Sequence, residues 1–353
     1  MNDGQWNTLM AVIRGETVHP LPVAFLIDGV WLSDGTGMTL LDYYASEELW
    51  FRANLKAVSE FPDCIFLPGF WSEFGMCTEP SAFGTKCTFP ENDFPFAEKI
   101  IHTLDDIDRI KKPDPRQDGL LPFVIKRLQH YRPKMEEAGH QIRFAISRGP
   151  LNIVSFLMGI TELMTELRAN ADRMHYLLRL VTDFIADWLD YQRECFPSIR
   201  GALLLDDIVG FIGEADYKEF VMPYLRDLFT RTGFEVRFFH NDAPCRSSAP
   251  HLSETGINLY NMGIEASLKD IQTWTGGKVV LMGSVPPRDV LAAGSVKDVE
   301  NAVEQQFHSL SNTRRVLFSC GGGVPPGTPA ENIHAFVSKV KELSAATRDQ
   351  VAE

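Results

Sequence analysis

Basic residues are scarce in this chain. Its 34 Lys and Arg face 47 Asp and Glu, for a formal net charge of −13 over 353 residues. A surface of that sign repels nucleic acid and anionic membrane, so neither is expected as a partner. Cysteine is sparse as well. Cys64, Cys77, Cys87, Cys195, Cys245 and Cys320 form no Cys-x-x-Cys pair, a usage that suits a reducing cytoplasm better than a secreted disulfide scaffold. No apolar run reaches the about 18 residues a membrane span needs. The opening MNDGQWNTLMAVIRG lacks the basic-then-apolar layout of a signal peptide, so a cytoplasmic protein is expected. Without repeats, low-complexity tracts or flexible linkers, a single domain over 1–353 is expected. The length suits one α/β barrel with insertions.

Eight short apolar runs read as strands: 22–27, 63–68, 142–147, 201–206, 234–240, 257–262, 278–284 and 314–320. Most are continuously apolar rather than alternating, as in parallel strands covered on both faces. Helical patterns fill the gaps, among them LLDYYASEELWFRANLKAVSEF, NADRMHYLLRLVTDFIADWLDYQREC, CRSSAPHLSETG and AENIHAFVSKVKELSAAT. Eight strand–helix units predict a (β/α)8 TIM barrel, with a doubly wound open sheet as the alternative. Residues 69–117 exceed an ordinary crossover and are rich in Gly, Pro and aromatics. They read as a long loop insertion over the barrel mouth, a substrate lid. For the last helix, Thr328 is expected as N-cap, Pro329 as the first helical residue and Glu331 as partner in a capping box.

A barrel carries its chemistry at the carboxyl ends of its strands. Those ends supply Asp28, Trp71, Arg148, Asp206 with Asp207, His240 with Asp242, Asn261 and Cys320. His240 and Asp242 are two apart, and at extended spacing their side chains point the same way. With Cys320 they form a candidate three-ligand zinc site with an open fourth position; Cys245 is the alternative third ligand. The competing reading makes His240 a hydrogen-bonded core residue and Cys320 a small buried hydrophobe. Asp206 and Asp207 face opposite ways, so one of them enters the barrel as ligand orienter, cation binder or general base, and the other caps a helix or joins a loop. Arg148 can clamp an anionic substrate or pair with a nearby carboxylate. Glu79 is a lid acid or an exposed loop charge. Gly321, Gly322 and Gly323 free the backbone after the eighth strand, where barrels often bind phosphate; a tight turn is the reading that three glycines alone favour. Gly321, Gly322 and Asn261 are thus the cofactor-binding candidates.

The segments GMTLLDYYASEELWFRANLKAVSEF, SAFGTKCTF, LLLDDIVGFIGEADYKEFVMPYL, FFHNDAP, GINLYNMG and CGGGVPPGTPAENI, in that order, resemble the uroporphyrinogen decarboxylase superfamily over nearly the whole chain. The resemblance implies a (β/α)8 barrel. Porphyrinogen decarboxylases carry an arginine-rich RQAGRY-type segment near the N-terminus for substrate carboxylates; here the region reads VAFLIDGVWLSDG, without arginine. The chain is more similar to the corrinoid-linked methyltransferase branch, whose thiol-using members bind zinc through a His-x-Cys motif and a distant second Cys. His240 and Cys320 match that pattern, whereas Asp242 stands where a Cys belongs. A carboxylate in that place makes zinc a harder Lewis acid, better suited to polarising an ether or hydroxyl oxygen than to activating a thiol.

What the resemblance implies is methyl transfer between a corrinoid protein and a small-molecule donor or acceptor, such as an aryl methyl ether undergoing O-demethylation. No DxHxxG corrinoid-binding signature is present, so the corrinoid is expected on a separate partner protein. Glu79, Arg148 and Asp206 or Asp207 would then shape the substrate pocket. A cofactor-free decarboxylase using Arg148 and an aspartate, and a non-catalytic member that binds a corrinoid protein, are the alternatives.

Overall fold

The computed structural model describes residues 1–34 and 36–352, with side chains as far as residue 346. Eight strands lie at Val23–Leu26 (β1), Cys64–Leu67 (β2), Phe144–Arg148 (β3), Gly201–Leu205 (β4), Val236–Asn241 (β5), Leu259–Met262 (β6), Val280–Val285 (β7) and Val316–Cys320 (β8). Each falls on one of the eight apolar runs. All pair in parallel, in the order β2-β1-β8-β7-β6-β5-β4-β3, curled with helices packed around them. This is the (β/α)8 architecture the strand count predicts. The register sets Arg148 beside Leu205, Leu205 beside His240 and His240 beside Asn261, so these strand ends come level.

β2 and β3 end the order without a ladder between them among the described residues. Exposed strand edges need partners for their backbone groups. Gln192, on the helix Ala171–Cys195, supplies them on β3. Its amide oxygen accepts from the Ile146 N–H at 2.9 Å and its amide nitrogen donates to the Ile146 carbonyl at 2.9 Å. On β2 the Gln5 side chain donates to the Cys64 carbonyl at 2.9 Å.

Gln5 belongs to a helix, Asp3–Arg14, that the strand-centred reading of the sequence leaves out. Asn2 and Gln5 close it with a reciprocal capping box. Its Trp6, Leu9 and Val12 join Ala24, Ile65, Phe144, Leu203, Phe238 and Leu317 in one buried cluster. This helix therefore plugs the end of the barrel opposite the mouth, and Trp6 meets Phe144 edge-on at 5.9 Å. Each such large side chain contributes roughly 1.5–3 kcal/mol by leaving water.

The expected helices differ in detail. LLDYYASEELWFRANLKAVSEF forms two, Leu40–Ala45 and Glu47–Glu60, because Ser46 caps the second through the Leu49 N–H. CRSSAPHLSETG forms only the 3₁₀ turn Ala249–His251. There the Ser248 and Thr255 hydroxyls donate to nearby carbonyls, competing with a regular helix. Two further helices, Pro150–Met158 and Ile160–Ala169, precede the long one before β4. The last helix starts at Ala330, and Thr328 donates its hydroxyl to the Pro325 carbonyl rather than capping Glu331. Residues 69–117 hold a 3₁₀ turn (Pro80–Phe83), a short antiparallel ribbon (Cys87–Thr88 with Phe96–Ala97) and one helical turn (Leu104–Ile107).

Candidate functional site

Strand alternation decides which strand-end residues face the barrel axis. Leu203 of β4, Phe238 of β5, Leu259 of β6 and Leu317 of β8 belong to the inner cluster, while Ala202, Leu204, Phe239, Tyr260, Phe318 and Cys320 pack outward against the helices. Counting in twos from the inner set carries Asp207, His240, Asp242 and Asn261 to the axis. The same count turns Asp206 and Cys320 away from it.

The coordinates agree with the parity. Asp207, His240 and Asp242 bring one ligand atom each within 4.8 Å of one another. His240 is buried and its ring is held from behind. Asn261 donates its amide N–H to the Met282 carbonyl at 3.0 Å, so its oxygen is the atom facing His240 Nδ1, at 2.7 Å. That oxygen can only accept, so Nδ1 carries the ring proton. In the neutral ring Nε2 is then bare, and it lies 3.6 Å from Asp207 Oδ1. A bare nitrogen and two carboxylates converging on one point repel unless a cation or a proton lies between them. The Asp207 carboxyl is raised above its ordinary value by burial, with the Asp242 charge adding and His240 opposing. Asp207 also accepts the Asp242 N–H at 3.1 Å, which fixes the two acids relative to each other.

The glycine loop after β8 is shaped around Asp242. Gly322 has φ +65°, and a Cβ there would sit 2.8 Å from Asp242 Oδ2. At Gly263 a Cβ would sit 2.1 Å from the Asp242 carbonyl oxygen. The N–H groups of Gly321 and Gly322 donate to the carbonyls of Val285 and Met262. They are committed to the barrel and do not form a phosphate cradle, so close packing, not anion binding, explains these two glycines. Asn261, the third cofactor-binding candidate, orients His240 instead.

Cys320, placed with His240 and Asp242 by sequence spacing, does not join their group. Its thiol points outward, 3.6 Å from the Gly323 carbonyl, and burial pushes it up to about 12. Asp207 stands with His240 and Asp242 instead. Cys245 lies in the helix-side core, with its thiol against Tyr260.

Asp206 is fully buried and accepts from the Leu151 N–H at 2.9 Å and the Asn152 N–H at 3.0 Å. It caps the helix Pro150–Met158 from another element. Burial holds its carboxyl well above the ordinary range.

Arg148 has two carboxylate partners. Its Nη1 lies 3.0 Å from Glu79 and its Nη2 lies 3.2 Å from Glu73, while its backbone N–H donates to Glu79 at 3.1 Å. All three side chains are buried. Glu79 is therefore a wall residue, not an exposed lid charge, and Arg148 is committed to two glutamates. Burial lifts Glu73 to about 7 against the pull of Arg148. Asp28 is raised by burial too, and caps the next helix through the Val30 and Trp31 amides. Trp71 gives its carbonyl to the Trp50 indole N–H at 2.9 Å, a structural contact. Sequence reasoning missed Glu73. Its one available signal was an acid set in the aromatic run FWSEF just after β2.

The chain matches the family model described as Uroporphyrinogen decarboxylase (URO-D) over residues 5–343. It is similar to the uroporphyrinogen decarboxylase of Pseudoalteromonas translucida, at 22% identity over 343 residues, covering 90% of this chain and 93% of that one. The Xylella fastidiosa uroporphyrinogen decarboxylase is 24% identical over 365 residues, covering 95% and 98%. Among solved structures, a methyltransferase from Methanosarcina mazei superposes with a TM-score of 0.80 at 18% identity, covering 96% of this chain and 98% of that one. A B12-independent methionine synthase from a Shewanella species gives 0.57 at 9% identity, covering 94% and 99%. These likenesses extend the fold to the full barrel.

Proposed function

Since this chain belongs to the uroporphyrinogen decarboxylase (URO-D) family, we propose a specific reading of its site: a metal-dependent methyltransferase. It moves a methyl group between a small molecule and a corrinoid carried by a separate protein. The observation that carries the reading is the convergence of Asp207, His240 and Asp242, with His240 Nε2 left bare by the Asn261 hydrogen bond. One nitrogen and two carboxylate oxygens fit a zinc ion with an open position. Bound there, zinc would supply Lewis acidity toward an oxygen atom of the substrate.

The remaining work falls to the chain's own side chains. Asn261 fixes the ring orientation and tautomer of His240. The Asp207 carboxylate holds the Asp242 backbone, and the side-chain-free surface at Gly322 leaves room for the Asp242 carboxylate. Two oxygen donors favour a hard substrate atom, the oxygen of a methyl ether or alcohol, over a thiol. An aryl methyl ether undergoing O-demethylation fits that preference. Phe211, at the end of the turn after β4, and Ile264, just past β6, are 61% and 53% exposed, two apolar side chains beyond the carboxyl ends of their strands that a docked corrinoid protein can cover. The methyltransferase likeness supports the same reading.

The decarboxylase reading requires a cation for substrate carboxylates. Arg148, the arginine nearest to that role, is already shared by Glu73 and Glu79. A porphyrinogen, with its many carboxylates, would face this acidic group without a free partner there.

The test is a transfer assay with a free Co(I)/methyl-corrinoid pair and a panel of methyl ethers, thiols and folate, run before and after chelation. Metal-dependent methyl transfer from or to an oxygen substrate is expected. Metal-independent release of carbon dioxide from a carboxylic acid, without methyl transfer, would overturn the reading.

A further inference from the structure

At the end of the barrel opposite the mouth, a cavity of about 480 Å³ opens beside the C-terminus of the helix Asp3–Arg14. Three parts of the chain wall it. Arg14 ends that helix, Thr273 belongs to the helix Leu268–Trp274 ahead of β7, and Ser311, Asn312, Arg314 and Arg315 lead into β8. Acids outnumber bases in this chain, yet the wall carries three arginines and no acid.

The arginines are not equally spent. Arg14 is paired with Glu16. Arg315 donates to the Ile13 and Arg14 carbonyls at the end of the helix, which are neutral acceptors. Arg314 gives only its backbone N–H, to Asn312 Oδ1 at 3.0 Å, and its side chain is exposed. Neither Arg314 nor Arg315 has an acid partner among the described residues, so two positive charges stand unneutralised at one cavity. Arg315 is also held in a costly way. It is the one described non-glycine residue in the left-handed region, at φ +55°, a state an L side chain disfavours. Gly15 makes room for it, since a Cβ there would sit 2.9 Å from Arg315 Nη2.

We propose that this cavity is a binding site for a small hydroxylated phosphate ester. A phosphate monoester carries close to two negative charges at neutral pH and three strong acceptor oxygens, which match the guanidinium groups of Arg314 and Arg315. Neutral polar groups line the rest. The Thr273 hydroxyl donates to the Lys269 carbonyl at 2.9 Å and keeps its oxygen free to accept. The Ser311 hydroxyl and the Asn312 amide nitrogen have no protein partner among the described residues. These three suit hydroxyl groups on the ester's carbon chain. No aromatic side chain lines the cavity, so a nucleobase would find nothing to stack on. The overall charge of −13 repels an extended polyanion, whereas a compact dianion meets chiefly the local arginines. An occupant would join the segment ahead of β8 to the helix that plugs the barrel, and so would stabilise that end of the fold. The site stands apart from the Asp207, His240 and Asp242 group and does not rest on the methyl-transfer reading.

The experiment titrates the full-length protein with ribose 5-phosphate, inorganic phosphate and ribose at constant ionic strength, and follows the thermal midpoint and amide exchange. A saturable rise in midpoint is expected with ribose 5-phosphate, a weaker one with inorganic phosphate and none with ribose. Slowed exchange should fall on 11–16, 272–279 and 311–316. Arg314→Ala should weaken ribose 5-phosphate binding by roughly tenfold or more, through loss of a charge-assisted pair. The proposal is overturned if ribose 5-phosphate gives no saturable shift, if the protection falls at the barrel mouth, or if Arg314→Ala binds as the wild type does. Inorganic phosphate binding as tightly as the ester would overturn the assignment of the hydroxyl contacts. The wild-type titration and exchange map decide the matter even where the variant does not fold.

Discussion

Asn261 Oδ1 lies 2.7 Å from His240 Nδ1, and because the other end of that amide is tied to the Met282 carbonyl, the histidine can present only Nε2 to Asp207 and Asp242. A fully buried amide on β6 thus selects the tautomer of the one nitrogen donor in the group.

Replacing Asn261 tests that coupling. Asn261→Ala frees the ring and should weaken metal affinity by roughly 10–100-fold, the usual effect of losing the partner that orients a ligating histidine. Titration with a competing chelator measures it. Unchanged affinity would mean that His240 is oriented by something else or does not bind.

The adjacent acids Asp206 and Asp207 should fail in opposite ways. Asp206→Ala leaves two buried amides unpaired, each costing about 1–3 kcal/mol, and should lower the urea midpoint strongly. Asp207→Ala removes one hydrogen bond to a backbone amide and should cost about 0.5–1.5 kcal/mol while abolishing tight metal binding. Equal stability losses in the two variants would contradict the capping role of Asp206.

Glu73 sets a pH dependence of defined sign. Its carboxyl rises from an ordinary 4.5 to about 7 on folding, chiefly through burial. Between those values the unfolded chain gives up a proton that the folded chain keeps. The associated stability is present at low pH and is lost as pH rises to about 7, by up to ~3 kcal/mol. Glu73→Gln lacks this titration. Its stability relative to wild type should therefore improve between pH 5 and pH 7.5 in urea melts. A difference that stays constant, or moves the other way, would show that Glu73 ionises normally.

The barrel was legible because a parallel sheet covered on both faces writes its strands as apolar runs, and all eight lie where those runs are. The site was legible only in part. His-x-Asp spacing puts His240 and Asp242 on one face, but in VLFSC a single polar residue, Ser319, is the one mark that the face of Leu317 is inward and that of Cys320 outward. The acids of LLLDD carry the same ambiguity, which the inner position of Leu203 and the outer position of Leu204 resolve in favour of Asp207. Glu73 and Glu79 were hard to place because burial beside Arg148 depends on how a 49-residue segment folds back, a long-range event that no local pattern encodes. The N-terminal helix went unread for a different reason: only three of its residues, Trp6, Leu9 and Val12, are fully buried.

The central claim is that Asp207, His240 and Asp242 hold the metal and Cys320 does not. Zinc content and zinc affinity of the wild type, Asp207→Ala, His240→Ala, Asp242→Ala and Cys320→Ala, purified without chelators, test it most directly. The account predicts about one equivalent in the wild type and in Cys320→Ala, and a loss of at least tenfold in affinity in the other three. A wild type without metal, or metal retained in Asp207→Ala but lost in Cys320→Ala, would contradict it.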